Sequence, residues 1–242
     1  MQLDAPRAPD PWNASRELAA VFELPRLAWR ARFLLSLPRG DGAPAIVLPG
    51  FGAGDASTAI LRAFLRGLGY DARGWGLGRN RGDVAGTVPR LIARAEALHA
   101  ERGEPLRLVG WSLGGVLARE LARERPELVA CVVTLGTPVV GGPKYTLAAE
   151  FYRRQGVDLD ALETQIAERE KLAIERPITA IYSRRDAVVA WQACIDRGNP
   201  SVRHVEVEAT HTGLGFNPEV YELVARALDP GSPPQPTEAG TR

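Results

Sequence analysis

Two cysteines, Cys131 and Cys194, in 242 residues cannot build a disulfide framework. A chain this long forms its own core without one, so both read as small buried or half-buried thiols. Long apolar runs are absent as well: stretches such as 45–48 and 129–133 fall far short of the ~20 residues needed to cross a bilayer. Thirty Lys+Arg against 29 Asp+Glu leave a formal net charge of +1 and no basic cluster. That argues against nucleic acid as a partner, because phosphate binding gathers several cations on one face. The first eleven residues hold three prolines, two aspartates and no apolar stretch of signal-peptide length, so the expectation is a soluble, cytoplasmic protein without stable membrane insertion. No H-E-x-x-H, cysteine pair or carboxylate cluster calls for a metal, and nothing calls for another cofactor.

What is present is 45% hydrophobic and 24% charged, the composition of one ordinary domain with a large core. Short β-rich apolar runs at 45–49, 70–75, 106–111, 130–135, 178–183 and 202–207 alternate with longer helical patterns. The alternation predicts an α/β fold, a mostly parallel sheet of about six strands with helices on both faces. Most of the runs are apolar nearly throughout, as strands buried on both faces are. Leu61, Phe64, Leu65 and Leu68 make one helical stripe, and Val84, Val88, Leu91, Ile92, Ala95 and Leu98 make another. Asn217 and Pro218 open a last helix as N-cap and first helical residue.

Three stretches fall outside this rhythm. In 1–44, residues 12–37 carry an amphipathic pattern (Leu18, Val21, Phe22, Leu27, Phe33, Leu34, Leu37) interrupted by Pro25. This predicts two helices packed on the flank of the 45–228 core as part of the same domain, for support rather than chemistry. Residues 138–176 exceed the dozen or so that a crossover requires. Their apolar positions Leu147, Ala148, Phe151, Leu159, Leu162 and Ile166 predict a helical cap over the core. Residues 229–242, with four prolines and two glycines, read as a disordered tail.

Chemistry concentrates where the 106–111 strand ends in Gly110-Trp111-Ser112-Leu113-Gly114 and runs straight into a helix. G-x-S-x-G alone is a common accident and could be a glycine-rich helix start. With a strand before it and a helix after it, the serine sits on a tight turn with its hydroxyl exposed, the placement a nucleophile needs. A serine hydroxyl attacks only when a base takes its proton, and the chain has three histidines. His99 ends the helix before the 106–111 strand and belongs at the opposite edge of the sheet; His204 lies inside the last strand. His211 follows that strand and reaches the carboxyl edge with Ser112. The carboxylate that orients such a base is then Asp186, just past the 178–183 strand, with a salt-bridged loop acid as the alternative reading.

Acyl transfer also needs donors for an oxyanion. They come from the backbone N–H after the nucleophile, at Leu113, and from the loop after the first strand, at Phe51. Gly50, Trp111, Asn80, Phe151 and Trp191 are the candidate walls of the substrate pocket. Gly76-Leu-Gly78-Arg-Asn-Arg-Gly82 imitates a dinucleotide loop, but its spacing is G-x-G-x-x-x-G and the next strand lacks the acid that would hold a ribose. Arg79, Asn80 and Asp83 are left to shape the pocket or brace the Phe51 loop.

The order Ser112, Asp186, His211 resembles the α/β-hydrolase superfamily. More narrowly, Leu48-Pro-Gly-Phe51, Gly74-Trp-Gly-Leu-Gly-Arg-Asn80, Gly110-Trp-Ser-Leu-Gly-Gly115 and His211-Thr-Gly-Leu-Gly-Phe-Asn-Pro218 are similar to small bacterial esterase/lipase-like members. The resemblance implies an α/β-hydrolase fold with a short helical cap, the 45–49 strand lying between the 70–75 and 106–111 strands, and the pocket above that switch point. Two features depart from the pattern. Pro49-Gly50 replaces the common His-Gly of the oxyanion loop, and helix rather than antiparallel strand precedes residue 45, so the sheet is abbreviated. The function implied is hydrolysis of a small-molecule carboxylic ester through an acyl-enzyme. Acyl transfer, thioester or amide cleavage by the same residues, and a non-catalytic small-ligand binder, are the alternatives; oligomeric state is left open.

Overall fold

A computed structural model describes residues 5–229; of the tail read at 229–242, all but Asp229 lies outside the described residues. Six strands form one sheet: β1 (Pro44–Leu48), β2 (Asp71–Gly74), β3 (Leu106–Trp111), β4 (Val129–Leu135), β5 (Ile178–Tyr182) and β6 (Val202–Glu206). The order is β2-β1-β3-β4-β5-β6, and every pairing is parallel. The α/β-hydrolase fold and the position of β1 between β2 and β3 are therefore as the resemblance implied, and among the described residues no antiparallel strand precedes β1.

Alternation along the strands feeds two cores. Ala45, Val47, Val109, Val133 and Ile181 point to a layer built with α1 (Glu23–Leu34), α2 (Ala59–Gly67) and, later in the chain, the helix Pro218–Leu228. Ile46, Leu48, Leu108, Val132 and Ala180 point to a layer built with α3 (Val84–Arg102) and α4 (Leu113–Glu124). Because both faces are covered, β1 is buried at every position, which is why its sequence reads as a continuous apolar run. Parallel strands leave all their carboxyl ends on one edge, where the β1, β3, β5 and β6 loops meet.

Between β4 and β5 lie a 3-10 turn (Gly142–Tyr145), α5 (Ala149–Arg154) and α6 (Leu159–Glu170). The helix Pro218–Leu228 becomes α7; Asn217 caps it by accepting from the Glu219 and Val220 N–H groups.

The N-terminal segment departs from its sequence reading. Pro11–Phe22 is a 3-10 helix and α1 follows at Glu23, so Pro25 sits in the first turn of α1 instead of dividing two helices. There its missing N–H would have had no partner in any case. With three residues per turn, side chains stack at i, i+3; Ala14, Glu17 and Ala20 turn inward while Leu18 and Val21 turn out. Leu18, Val21, Phe22 and Phe33, read as core positions, are exposed, and Leu27, Leu34 and Leu37 do the packing.

Candidate active site

Ser112 occupies the step from β3 to α4 with φ 54° and ψ −123°. Asp41 is the other non-glycine residue with positive φ among the described residues. A left-handed backbone on a residue with a Cβ is costly and persists only where its surroundings enforce it. Here Ser112 N–H donates to Leu135 O at 2.7 Å, and the Gly115 N–H and the Thr137 hydroxyl both donate to Ser112 O at 2.9 Å. The turn closes because Gly110 has no side chain: a Cβ there would lie 2.4 Å from Gly114 O. Leu113 is the first residue of α4, so its N–H has no partner within the helix and points outward at the positive end of the helix dipole.

The loop after β1 passes directly over this turn, with the Cβ direction of Gly50 reaching to 3.3 Å from Ser112 Cβ. It is held by a second loop. Gly52 N–H donates to Asn80 O at 2.7 Å, Asn80 N–H donates to Ala53 O at 2.8 Å, and the buried Asn80 Nδ2 donates to Pro49 O at 2.9 Å. Arg79 Nε adds a bond to Gly52 O at 2.6 Å. Asn80 is thus a brace for the Phe51 backbone and does not line the cavity.

Asp186 follows β5, and its Oδ1 accepts from the Val188 and Val189 N–H groups at 2.8 and 2.7 Å. Its other oxygen, Oδ2, lies 2.6 Å from His211 Nδ1. The carboxylate is buried and the imidazole nearly so. Gly136, at φ 55°, makes room for the pair, since a Cβ there would come within 3.0 Å of both Asp186 Oδ2 and His211 Nδ1. A carboxylate at Nδ1 keeps the proton on that nitrogen and leaves Nε2 as the basic one. Burial pushes the His211 pKa down, but the charge of Asp186, its hydrogen bond and the charge of Glu17 outweigh it, and the net shift is upward.

Glu17 is the residue that sequence reasoning missed. From the 3-10 helix, its Oε1 accepts from the backbone N–H groups of Ala187 (3.2 Å) and His211 (3.1 Å), and its Oε2 accepts from Thr212 N–H at 2.7 Å. One carboxylate therefore ties the loop of the acid to the loop of the histidine. Trp111 adds a bond from Nε1 to His211 O at 3.2 Å.

Ser112 and His211 line one cavity of about 1410 Å³ together with Gly50, Phe51, Trp111, Leu113 and Phe151. The insertion lines it through Leu147, Phe151, Tyr152, Leu162 and Ile166, and α3 through Val88 and Ile92. The Phe51 ring packs against Phe151 and Tyr152, with centroids 5.1 and 5.8 Å away. Trp191 stands elsewhere, stacked on Tyr182 under the guanidinium of Arg184. The other histidines are also elsewhere. His99 Nδ1 lies against Glu104 O at the exposed end of α3. His204 Nε2 accepts from Asp196 N–H, and burial lowers its pKa. Cys131, whose thiol burial pushes up to about 11, does not reach the cavity.

A family model described as the alpha/beta hydrolase fold matches residues 44–176. A pimeloyl-[acyl-carrier protein] methyl ester esterase of Aromatoleum aromaticum is 36% identical over 92 residues. The matched stretch is 38% of this chain and 36% of that protein, so the chain spans little more than a third of that relative's length. Among solved structures, a lipase-esterase related protein from Clostridium acetobutylicum superposes with a TM-score of 0.60 at 15% identity, over 79% of this chain and 97% of that one. An esterase of Pyrococcus furiosus superposes with a TM-score of 0.58 at 19% identity, over 78% and 83%. At such identities the superpositions speak for the fold alone.

Proposed function

The chain belongs to the alpha/beta hydrolase fold family, and we propose that within it the protein is a serine hydrolase that cleaves carboxylic esters. The observation that carries this reading is the 2.6 Å Asp186–His211 bond, with His211 lining the cavity that also holds Ser112 on its strained turn. In the proposed cycle His211 Nε2 takes the Ser112 proton as Oγ attacks the ester carbonyl. The Leu113 and Phe51 N–H groups receive the oxyanion, and His211 returns the proton to the departing alcohol. Water, activated by the same nitrogen, then releases the acid. Asp186 stays ionised and stabilises the imidazolium formed at each step.

The apolar side chains that the insertion and α3 contribute to the cavity favour an acyl chain over a polar substrate, because only an apolar group recovers the free energy of displacing water from such walls. The esterase of Aromatoleum aromaticum, by its name, works on a methyl ester in the same reaction class. A panel of nitrophenyl esters of increasing acyl length tests the proposal. Turnover that is abolished in Ser112→Ala supports it, and equal turnover by a correctly folded Ser112→Ala protein refutes it.

A further inference from the structure

Residues 11–35 carry an apolar face directed away from the sheet. In the 3-10 helix the outward column holds Trp12, Leu18 and Val21; Trp12 is 89% exposed and Leu18 77%. In α1 the buried line is Leu27 and Leu34. At 100° per residue, Trp29 and Phe33, together with Phe22 just before the helix, fall on the opposite side. Trp29 is 86% exposed and Phe22 70%. A surface helix ordinarily turns polar groups outward. Here both consecutive elements turn aromatics and aliphatics outward, seven of them between Trp12 and Phe33 with Leu24 included, more than the scattered single apolar residues of an ordinary surface.

The charges in the same stretch have one sign on the outside. Arg16, Arg26 and Arg32 are exposed, and the Arg30 guanidinium lies 4.7 Å from the Phe33 ring centroid. The carboxylates of the stretch turn inward: Glu17 is engaged by the Ala187, His211 and Thr212 N–H groups, and Glu23 is buried beside Arg26. Arg16 and Arg32 have no ion pair among the described residues. Asp10, exposed at the N-cap of the 3-10 helix, is engaged by the Trp12 N–H at 3.0 Å. Exposed tryptophans interleaved with arginines complement an apolar layer overlaid by negative charge. No helix among the described residues is long and apolar enough to cross a membrane, so the segment fits the surface of a bilayer and not its interior.

We propose that this face is a docking surface for anionic lipid bilayers, on which the 3-10 helix and α1 lie flat with Trp12 and Trp29 at headgroup depth. The surface does not depend on what the cavity hydrolyses. It adjoins the site, however, because the inward column of the same 3-10 helix holds the His211 loop through Glu17.

The test is co-sedimentation of the full chain with vesicles of phosphatidylcholine alone and of phosphatidylcholine mixed with phosphatidylglycerol, read alongside tryptophan emission. Binding should require the anionic lipid and shift the emission to the blue. It should weaken by roughly tenfold or more when salt is raised from about 0.1 to about 0.5 M. Trp12→Ser/Trp29→Ser should lose about tenfold in affinity, and Arg16→Gln/Arg32→Gln should lose the preference for phosphatidylglycerol. Both variants should keep the melting temperature and the turnover of a dissolved short-chain ester, which separates loss of docking from loss of fold. The proposal is overturned if the unmodified chain ignores both vesicles, or if the tryptophan variant binds as well as the parent. It is also overturned if the parent self-associates in solution and the tryptophan variant is monomeric, for then the face joins two copies of the chain.

Discussion

Glu17 and His211 are 194 residues apart in the chain and 3.1 Å apart in space, the carboxylate accepting the backbone N–H of the histidine. The same Oε1 holds Ala187, the neighbour of Asp186, so a residue outside the sheet joins the Asp186 loop to the His211 loop. Glu17→Gln keeps one acceptor oxygen but loses the charge that helps raise the His211 pKa. Its kcat should fall by about tenfold with KM nearly unchanged, and the rising limb of the pH profile should move to lower pH, because a base that has lost a nearby negative charge gives up its proton more readily. A loss of melting temperature with an unmoved limb would make Glu17 a brace without influence on the base.

Ser112→Ala should reduce ester turnover by roughly 10⁴-fold or more with the fold intact, since the members of such a set act as a unit. Asp186→Asn should be nearly as severe. Asp83 and Asp196 are the controls. Asp83 caps α3 at Gly86 N–H and Asp196 pairs with the buried Arg119, so Asp83→Asn should leave turnover nearly unchanged and Asp196→Asn should act on stability. Severe loss of turnover in Asp83→Asn with Asp186→Asn mild would reassign the acid.

The pH dependence of kcat/KM has a definite sign. In the proposed cycle His211 works when neutral, so activity should rise with pH, and the upward shift of its pKa should place the rising limb above the ordinary histidine value of ~6.5. The same shift contributes to stability below the unfolded-state value and is lost as pH climbs through the raised folded-state value. Asp186→Asn should therefore lower the limb of any residual activity and shrink the melting-temperature difference between mildly acidic and alkaline buffer.

The Phe51–Phe151 contact joins the loop after β1 to the insertion that lines the cavity. Phe151→Ala or Leu162→Ala should change the ratio of turnover on short-chain to long-chain esters more than it changes the melting temperature, because both side chains line the cavity and Phe151 is already partly exposed. Stability loss with the parent chain-length profile would make the insertion a structural crossover only.

The strands were legible because burial on both faces leaves an unbroken apolar run, as in β1. The residues that share the cavity were legible through scarcity, since two of the three histidines could be assigned to other places along the alternation. Glu17 was not, because its partners are distant backbone groups and because a 3.6-residue period applied to a 3-10 helix puts the wrong residues inside. Asn80 and Trp191 were expected in the cavity from their position at the carboxyl edge. Hydrogen bonds to the Phe51 loop and stacking on Tyr182 take them out of it.

Reaction with a fluorophosphonate, followed by mapping of the modified peptide, tests the central claim most directly, because only a serine deprotonated by a neighbouring base attacks phosphorus at a useful rate. A single adduct on Ser112, formed faster as His211 loses its proton and absent from Ser112→Ala, is the predicted result. No adduct on folded protein at alkaline pH, or an adduct on a different serine, would contradict the account.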